Sequence, residues 1–66
     1  MSIITLYKNT THAVAFNHVS DHYEVFLRSA PDAVVRSFPY AESRGFERAV
    51  ACAMHEEYTI AKENAR

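Results

Sequence analysis

The chain has 66 residues, a single cysteine, eight phenylalanine and tyrosine residues and a formal net charge of −1. One cysteine excludes an internal disulfide, the small charge argues against long-range attraction to nucleic acid, and the lack of a long apolar run argues against a membrane span. These features predict one small domain over residues 1–66, soluble and cytoplasmic, whose natural partners are proteins.

The first forty residues predict four antiparallel strands joined by short turns. Segments rich in β-branched and aromatic residues alternate there with polar or proline-containing breaks. The predicted strands are Ile3–Lys8, His12–Val19, Tyr23–Ser29 and Val34–Tyr40. Because each break is short enough for a hairpin, the simplest arrangement of these strands is a meander.

One face of this sheet is expected to form the core. A two-residue turn at Ser20-Asp21 would place Val25 opposite Phe16 and would bring both side chains to that face. Strand alternation then adds further residues from all four strands. These are Ile4, Leu6, Val14, Tyr23, Leu27, Val35, Ser37 and Pro39.

The opposite face is expected to stay uncovered, because one helix covers only one side of a sheet. It is predicted to carry a cluster of aromatic and arginine side chains, a composition enriched in binding hot spots. The members of this cluster are Tyr7, Phe26, Arg28, Arg36, Phe38 and Tyr40. The alternative is that one strand is inverted, in which case the rings belong to the core.

The segment from Ser43 to Asn64 predicts one amphipathic helix. Ser43 is expected to cap its first turn, and Lys62 and Arg66 complement the helix dipole at the other end. The apolar arc of the helix consists of Phe46, Ala49, Val50, Ala53, Met54, Tyr58, Ile60 and Ala61.

The predicted helix is longer than the sheet that it covers. Its 22 residues span about 33 Å, whereas a six-residue strand spans about 20 Å. Glu57 lies within the apolar arc, so either an arginine or histidine meets its carboxylate or the arc leaves the core at that point. The second half of the helix, with Met54, Glu57 and Tyr58, is therefore either solvated or a docking surface for a second copy or another protein.

Few residues suggest chemistry. His18 and His22 flank the turn at Asp21, but zinc normally takes three or four ligands, so we interpret them as ordinary turn residues. Cys52 has no helix N-terminus nearby to lower its pKa, and we interpret it as a small packing residue. No catalytic residue, cofactor or metal is predicted.

Nucleic-acid binding is an alternative that rests on basic and aromatic residues together. The residues concerned are Arg28, Arg36, Arg44 and Arg48, with Phe38 and Tyr40 beside them. Acidic residues are interleaved with these arginines, which equally favours a solvated surface of mixed charge.

Residues 37–43, Ser-Phe-Pro-Tyr-Ala-Glu-Ser, form a strand-to-helix junction that is followed by Ala49, Ala53 and Tyr58. This junction resembles that of small phage proteins that inhibit bacterial RNA polymerase and, more loosely, other sheet-plus-helix proteins of phages and mobile elements. The resemblance implies a compact accessory protein that occupies and blocks a surface of a host macromolecule. It does not imply the target, because the inhibitors' order of strands around the helix is not reproduced here.

Taken together, these patterns predict an α+β domain in which a three- to four-stranded antiparallel meander packs against one long C-terminal helix. The protein is expected to bind a protein partner and not to be an enzyme. A homodimer is expected, because a domain this small can hardly leave the open sheet face and the helix overhang in water. The predicted partner-binding residues are Tyr7, Phe26, Arg28, Arg36, Phe38, Tyr40, Met54, Glu57 and Tyr58.

Overall fold

A computed structural model describes residues 3–65 of the chain. It contains the strands β1 (Ile3–Lys8), β2 (His12–Asn17), β3 (His22–Leu27) and β4 (Ala30–Pro39), followed by the helix α1 (Gly45–Asn64). The strands form one antiparallel sheet in the order β1-β2-β3-β4. The predicted α+β class, the meander and the C-terminal helix are therefore confirmed. Arg66, which was expected to complement the helix dipole, lies outside the described residues.

The core lies between one face of the sheet and α1. Val14 and Val25 on the two central strands meet Ala49 and Ala53 of the helix, and all four side chains are fully buried. Small side chains on the helix allow its backbone to approach the sheet closely. The prediction that these residues form the core is confirmed. The residues packed around them are Tyr7, Tyr23, Phe38, Val50 and Cys52.

The turn between β2 and β3 is four residues long, not two. Phe16 lies opposite Tyr23, so the predicted pairing of Phe16 with Val25 is wrong. The side-chain oxygen of Asn17 accepts hydrogen bonds from two backbone N–H groups of the turn, which holds residues 18–21 together as one loop. The face prediction survives, because a shift by two residues keeps each side chain on its side of the sheet.

β4 is inverted relative to the prediction. The chain turns at residues 28–29, and two later register shifts insert extra residues into β4. As a result Phe38 lies opposite Tyr23, Arg36 lies opposite Val25, and both side chains face the helix. The expectation that odd-numbered residues of this strand face the core is wrong. Val35, Ser37 and Pro39 are all exposed.

β1 contains an irregularity of its own. Its register against β2 shifts between Thr5 and Tyr7, so that Tyr7 lies opposite Val14. Tyr7 therefore faces the helix and packs against the core. Its predicted place on the open face is wrong, because the alternation of side chains along β1 is interrupted at Leu6.

The helix begins two residues later than predicted, and Ser43 is not its cap. Arg44 occupies the N-cap position in a left-handed backbone conformation, with φ 67°, and its side chain makes no capping hydrogen bond. Its Nε instead donates to Glu47 Oε2 over 2.9 Å. The next residue, Gly45, is buried, and a Cβ there would lie 2.8 Å from the carbonyl oxygen of Pro39. Only a residue without a side chain fits this junction undistorted.

Candidate protein-binding surface

Two hydrogen-bonded contacts fix the position of α1 over the sheet. Asn9 Nδ2, in the β1–β2 turn, donates to the carbonyl oxygen of Ala53 over 3.1 Å. The backbone N–H and the hydroxyl of Thr10 donate to Glu57 Oε2 over 2.8 and 2.5 Å. The helix therefore begins at the end of the sheet where β3 starts and β4 ends, with Gly45 against Tyr23, and runs towards the β1–β2 turn at the opposite end.

Much of β1 is left uncovered by this helix. α1 packs against β2, β3 and β4. Ile4 lies opposite Phe16 and so faces the helix side, as predicted, but about half of its surface remains exposed. Leu6, at the register shift of β1, is also about half exposed. The sequence places Ile4 on the correct face but overestimates the burial of both residues.

α1 carries a row of large apolar side chains beside its buried alanines, Ala49 and Ala53. Positions 46, 50, 54 and 58 recur every fourth residue and hence form one row on a helix. Val50, the second member, packs beside the core. The other three remain exposed, as do the two residues of β1. We name this set the β1 flank; it consists of Ile4, Leu6, Phe46, Met54 and Tyr58, which are 50, 46, 38, 55 and 63% exposed.

A cluster of rings adjoins the β1 flank at the end of the sheet where α1 begins. The Phe16 ring lies 5.3 Å from that of Tyr23 and 5.2 Å from that of Tyr40. Phe46 joins the cluster through Tyr23, at 5.7 Å. Tyr40 therefore extends the apolar surface on the helix side, and its predicted place on the open face is wrong.

The open face of the sheet differs from the prediction. Of the four rings expected there, only Phe26 lies on it, half-buried between Ala13 and Val34. Ala13 and Ala15, at the centre of this face, are almost completely buried beneath neighbouring side chains. The expected cluster of aromatic and arginine residues does not assemble on this side.

The four arginines are engaged at separate places. Arg28 Nη1 donates to the carbonyl oxygen of Asn9 over 2.8 Å. Arg36 lies on the helix side, with its guanidinium carbon 5.5 Å from the centre of the Phe38 ring. Arg44 and Arg48 form ion pairs with Glu47 and Glu42 beside the start of the helix. These two arginines line a shallow depression of about 370 Å³ together with Glu47 and Ala51.

Glu57 is met by Thr10, not by the arginine or histidine that the sequence suggested. The two hydrogen bonds from Thr10 lower the pKa of the Glu57 carboxyl, and His12 contributes a weaker electrostatic effect in the same direction. A carboxylate within the apolar arc of the helix is therefore satisfied by a turn of the sheet. Met54 and Tyr58 lie on either side of this contact in the chain and remain exposed.

Asn9 is the structural residue that the sequence reasoning missed. Its Oδ1 accepts the backbone N–H groups of Thr11, over 3.0 Å, and His12, over 2.7 Å. Asn-Thr-Thr between two strands is a recognisable turn signal. Its partner Ala53, however, lies 44 residues away. A local sequence pattern cannot predict a contact between residues that are so far apart in the chain.

Cys52 and His12 have side chains of the kind that take part in catalysis or metal binding, but both are packed within the fold. Cys52 is half-buried, and its pKa is raised mainly by burial and then by Glu56, against an opposing effect of Arg36. The buried His12 has its Nδ1 2.7 Å from the hydroxyl of Thr11. Between residues 3 and 65, no three His, Cys, Asp or Glu side chains come close enough together to hold a metal ion.

No protein-family model, curated protein or solved structure matches this chain. Within the described part of the chain, no helix combines the length and the apolar character that crossing a membrane requires.

Proposed function

We propose that this protein is a binding module that docks onto another protein through the β1 flank, and that it acts by binding and not by catalysis. The observation that supports the proposal is that five large apolar side chains of β1 and α1 remain exposed, three of them in one row at every fourth position of the helix. Single exposed apolar residues are normal on a protein surface, whereas a contiguous group marks an interaction site. The flank includes phenylalanine, tyrosine and methionine, which are enriched at protein interfaces.

The proposal retains part of the predicted partner-binding set and revises the rest. Met54 and Tyr58 belong to the β1 flank, and Tyr40 adjoins it. Tyr7 and Phe38 support the core and are not offered as contact residues. That the bound surface belongs to a host macromolecule whose action is blocked stays a prediction from the resemblance of the β4–α1 junction.

Nucleic-acid binding has less support. Two of the four arginines are paired with glutamates, and the other two lie on different parts of the sheet. A phosphate-binding surface needs a concentration of positive charge on one face. We therefore do not propose this alternative; salt-sensitive binding that is lost in Arg28→Ala would restore it.

Site-specific photocrosslinking tests the proposal. A photoreactive phenylalanine analogue is placed at Met54 on the flank or, as a control, at Val35 on the opposite edge of the sheet; both positions are exposed. Illumination in a lysate of the cells that make the protein is expected to give a discrete crosslinked product from position 54 and not from position 35. Identical products from both positions, or none from position 54, would contradict the proposal.

A further inference from the structure

The two edge strands of the sheet, β1 and β4, differ in how readily they can pair with another strand. β4 contains Pro31 and Pro39, the charged residues Asp32 and Arg36, and two register shifts. Prolines, charges and bulges are the features by which edge strands avoid pairing with other strands. β1 contains no proline, its only charged residue is Lys8 at its end, and its register shifts once. β1 is therefore the edge better suited to accept another strand.

From this asymmetry we infer that the occupant of the β1 flank is a second copy of this chain, paired antiparallel along β1. The inference rests on the proposed function and names the partner. Antiparallel neighbours are related by a twofold axis perpendicular to the sheet, so each residue keeps its face. The result is a continuous eight-stranded sheet with both helices on one side. Ile4 of each copy, which faces the helix side, then lies in the space between the two helices, and Leu6 lies along the junction of the two edges.

The charges of β1 suit a second copy. Antiparallel pairing places the two Lys8 side chains at opposite ends of the junction, where they do not repel each other. The flank itself consists of uncharged residues, and the net charge of −1 gives little long-range repulsion between copies. No complementary charge on the partner is needed, so the same uncharged surface of a second copy can serve as the partner.

The size of the flank is of the order that a dimer requires. A standard interface buries about 800 Å² of each partner, about one sixth of the 4707 Å² that the described chain exposes. Phe46 and Tyr58 provide about 100 Å² each, since an aromatic side chain buries about 150–250 Å² when fully covered, and Ile4, Leu6 and Met54 add smaller areas. The outer backbone of a six-residue strand and the adjoining Tyr40 provide the remainder.

Sedimentation equilibrium of the purified full chain tests the inference with two matched variants. Leu6→Lys places a charge on the β1 edge, and Val35→Lys places the same charge on the β4 edge; the two side chains are 46 and 42% exposed. The wild type and Val35→Lys are expected to be dimers. Leu6→Lys is expected to raise the dimer dissociation constant at least about 30-fold, because the twofold axis brings both lysines into the interface. Circular dichroism establishes that each variant is folded.

If Leu6→Lys does not fold, Met54→Lys on the exposed helix surface takes its place, with the same expectation. A wild-type protein that is monomeric throughout would overturn the inference. If that monomer still forms the crosslink from position 54 in lysate, the flank binds a different protein and the proposed function stands. A dimer that Val35→Lys dissociates and Leu6→Lys does not would overturn the inference, because the contact would then lie on β4; the crosslink from position 54 would still decide the proposed function.

Discussion

Gly45 shows at the scale of one residue how the junction between sheet and helix is built. The chain leaves β4 at Pro39 and enters α1 six residues later, passing through a left-handed conformation at Arg44. Such a tight return brings the first residue of the helix against the carbonyl oxygen of Pro39. Close backbone approach, and not conformational freedom, is the reason for a glycine at this position.

Replacing this glycine tests the account. Alanine improves helix propensity by about 1 kcal/mol, but in Gly45→Ala its Cβ must displace the backbone at Pro39. We expect a net loss of about 1–3 kcal/mol of unfolding free energy, measured by urea denaturation. Ser43→Ala is the control, because Ser43 is exposed and does not cap the helix, and we expect a change within about 0.5 kcal/mol. A larger loss of unfolding free energy for Ser43→Ala than for Gly45→Ala would contradict the close packing of Gly45 against Pro39.

At the scale of elements, one turn of the sheet holds the helix in place. Asn9 binds the helix backbone, and Thr10 binds the Glu57 carboxylate one turn further along. Both contacts come from the connection between β1 and β2, so the helix is attached to the part of the sheet that it covers least. Acid weakens this attachment, because protonation of Glu57 removes the charged acceptor.

The pH dependence of stability tests the contact between Thr10 and Glu57. Because the folded state lowers the pKa of Glu57, its stabilisation is complete above the ordinary glutamate pKa of about 4.3 and is lost as the pH falls through the lowered value. We expect Glu57→Gln to lower the melting temperature at pH 7 and to converge with the wild type in acid. Glu63→Gln, at an exposed position near the helix end, should show the same change of melting temperature with pH as the wild type. A constant gap between Glu57→Gln and the wild type at every pH would contradict the contact.

At the scale of the whole molecule, aromatic residues divide between the core and the surface. Phe38 packs against the core, whereas Tyr58 is exposed on the helix. We expect Phe38→Ser to cost about 2–4 kcal/mol of unfolding free energy. Tyr58→Ser should change that free energy by less than about 0.5 kcal/mol and should weaken partner binding instead. Urea denaturation and a binding or sedimentation assay measure the two effects separately, and a stable Phe38→Ser would contradict the observed register of β4.

The sequence suffices for the elements and the central core, but not for the faces of the outer strands. Alternation and helical periodicity correctly place Val14, Val25, Ala49 and Ala53, because these positions lie in regular segments. A bulge in β1 reverses the face of Tyr7. In β4 the face of Phe38 is reversed because the chain turns at residues 28–29 and not in the predicted loop at 30–33; the two register shifts together add four residues and leave the parity of pairing unchanged. No residue pattern specified where the extra residues would be accommodated.

The candidate surface was predictable only in part. The excess of apolar residues in the second half of the helix pointed to Met54 and Tyr58. Ile4 was assigned to the correct face, but the exposure of Ile4 and Leu6 depends on where the helix crosses the sheet. Asn9 and Thr10 fix that crossing through their contacts with Ala53 and Glu57, which lie 44 and 47 positions further along the chain. Local periodicity cannot predict contacts between residues so far apart.

These distant contacts have a consequence for the order in which the protein is made and folds. The hairpins of the sheet close between neighbours in sequence, and such local contacts form early. The helix reaches Asn9 and Thr10 only when residues 53–57 have been synthesised. Until then the apolar face around Val14 and Val25 has no cover. The nascent chain is therefore most prone to aggregate just before α1 docks on the sheet.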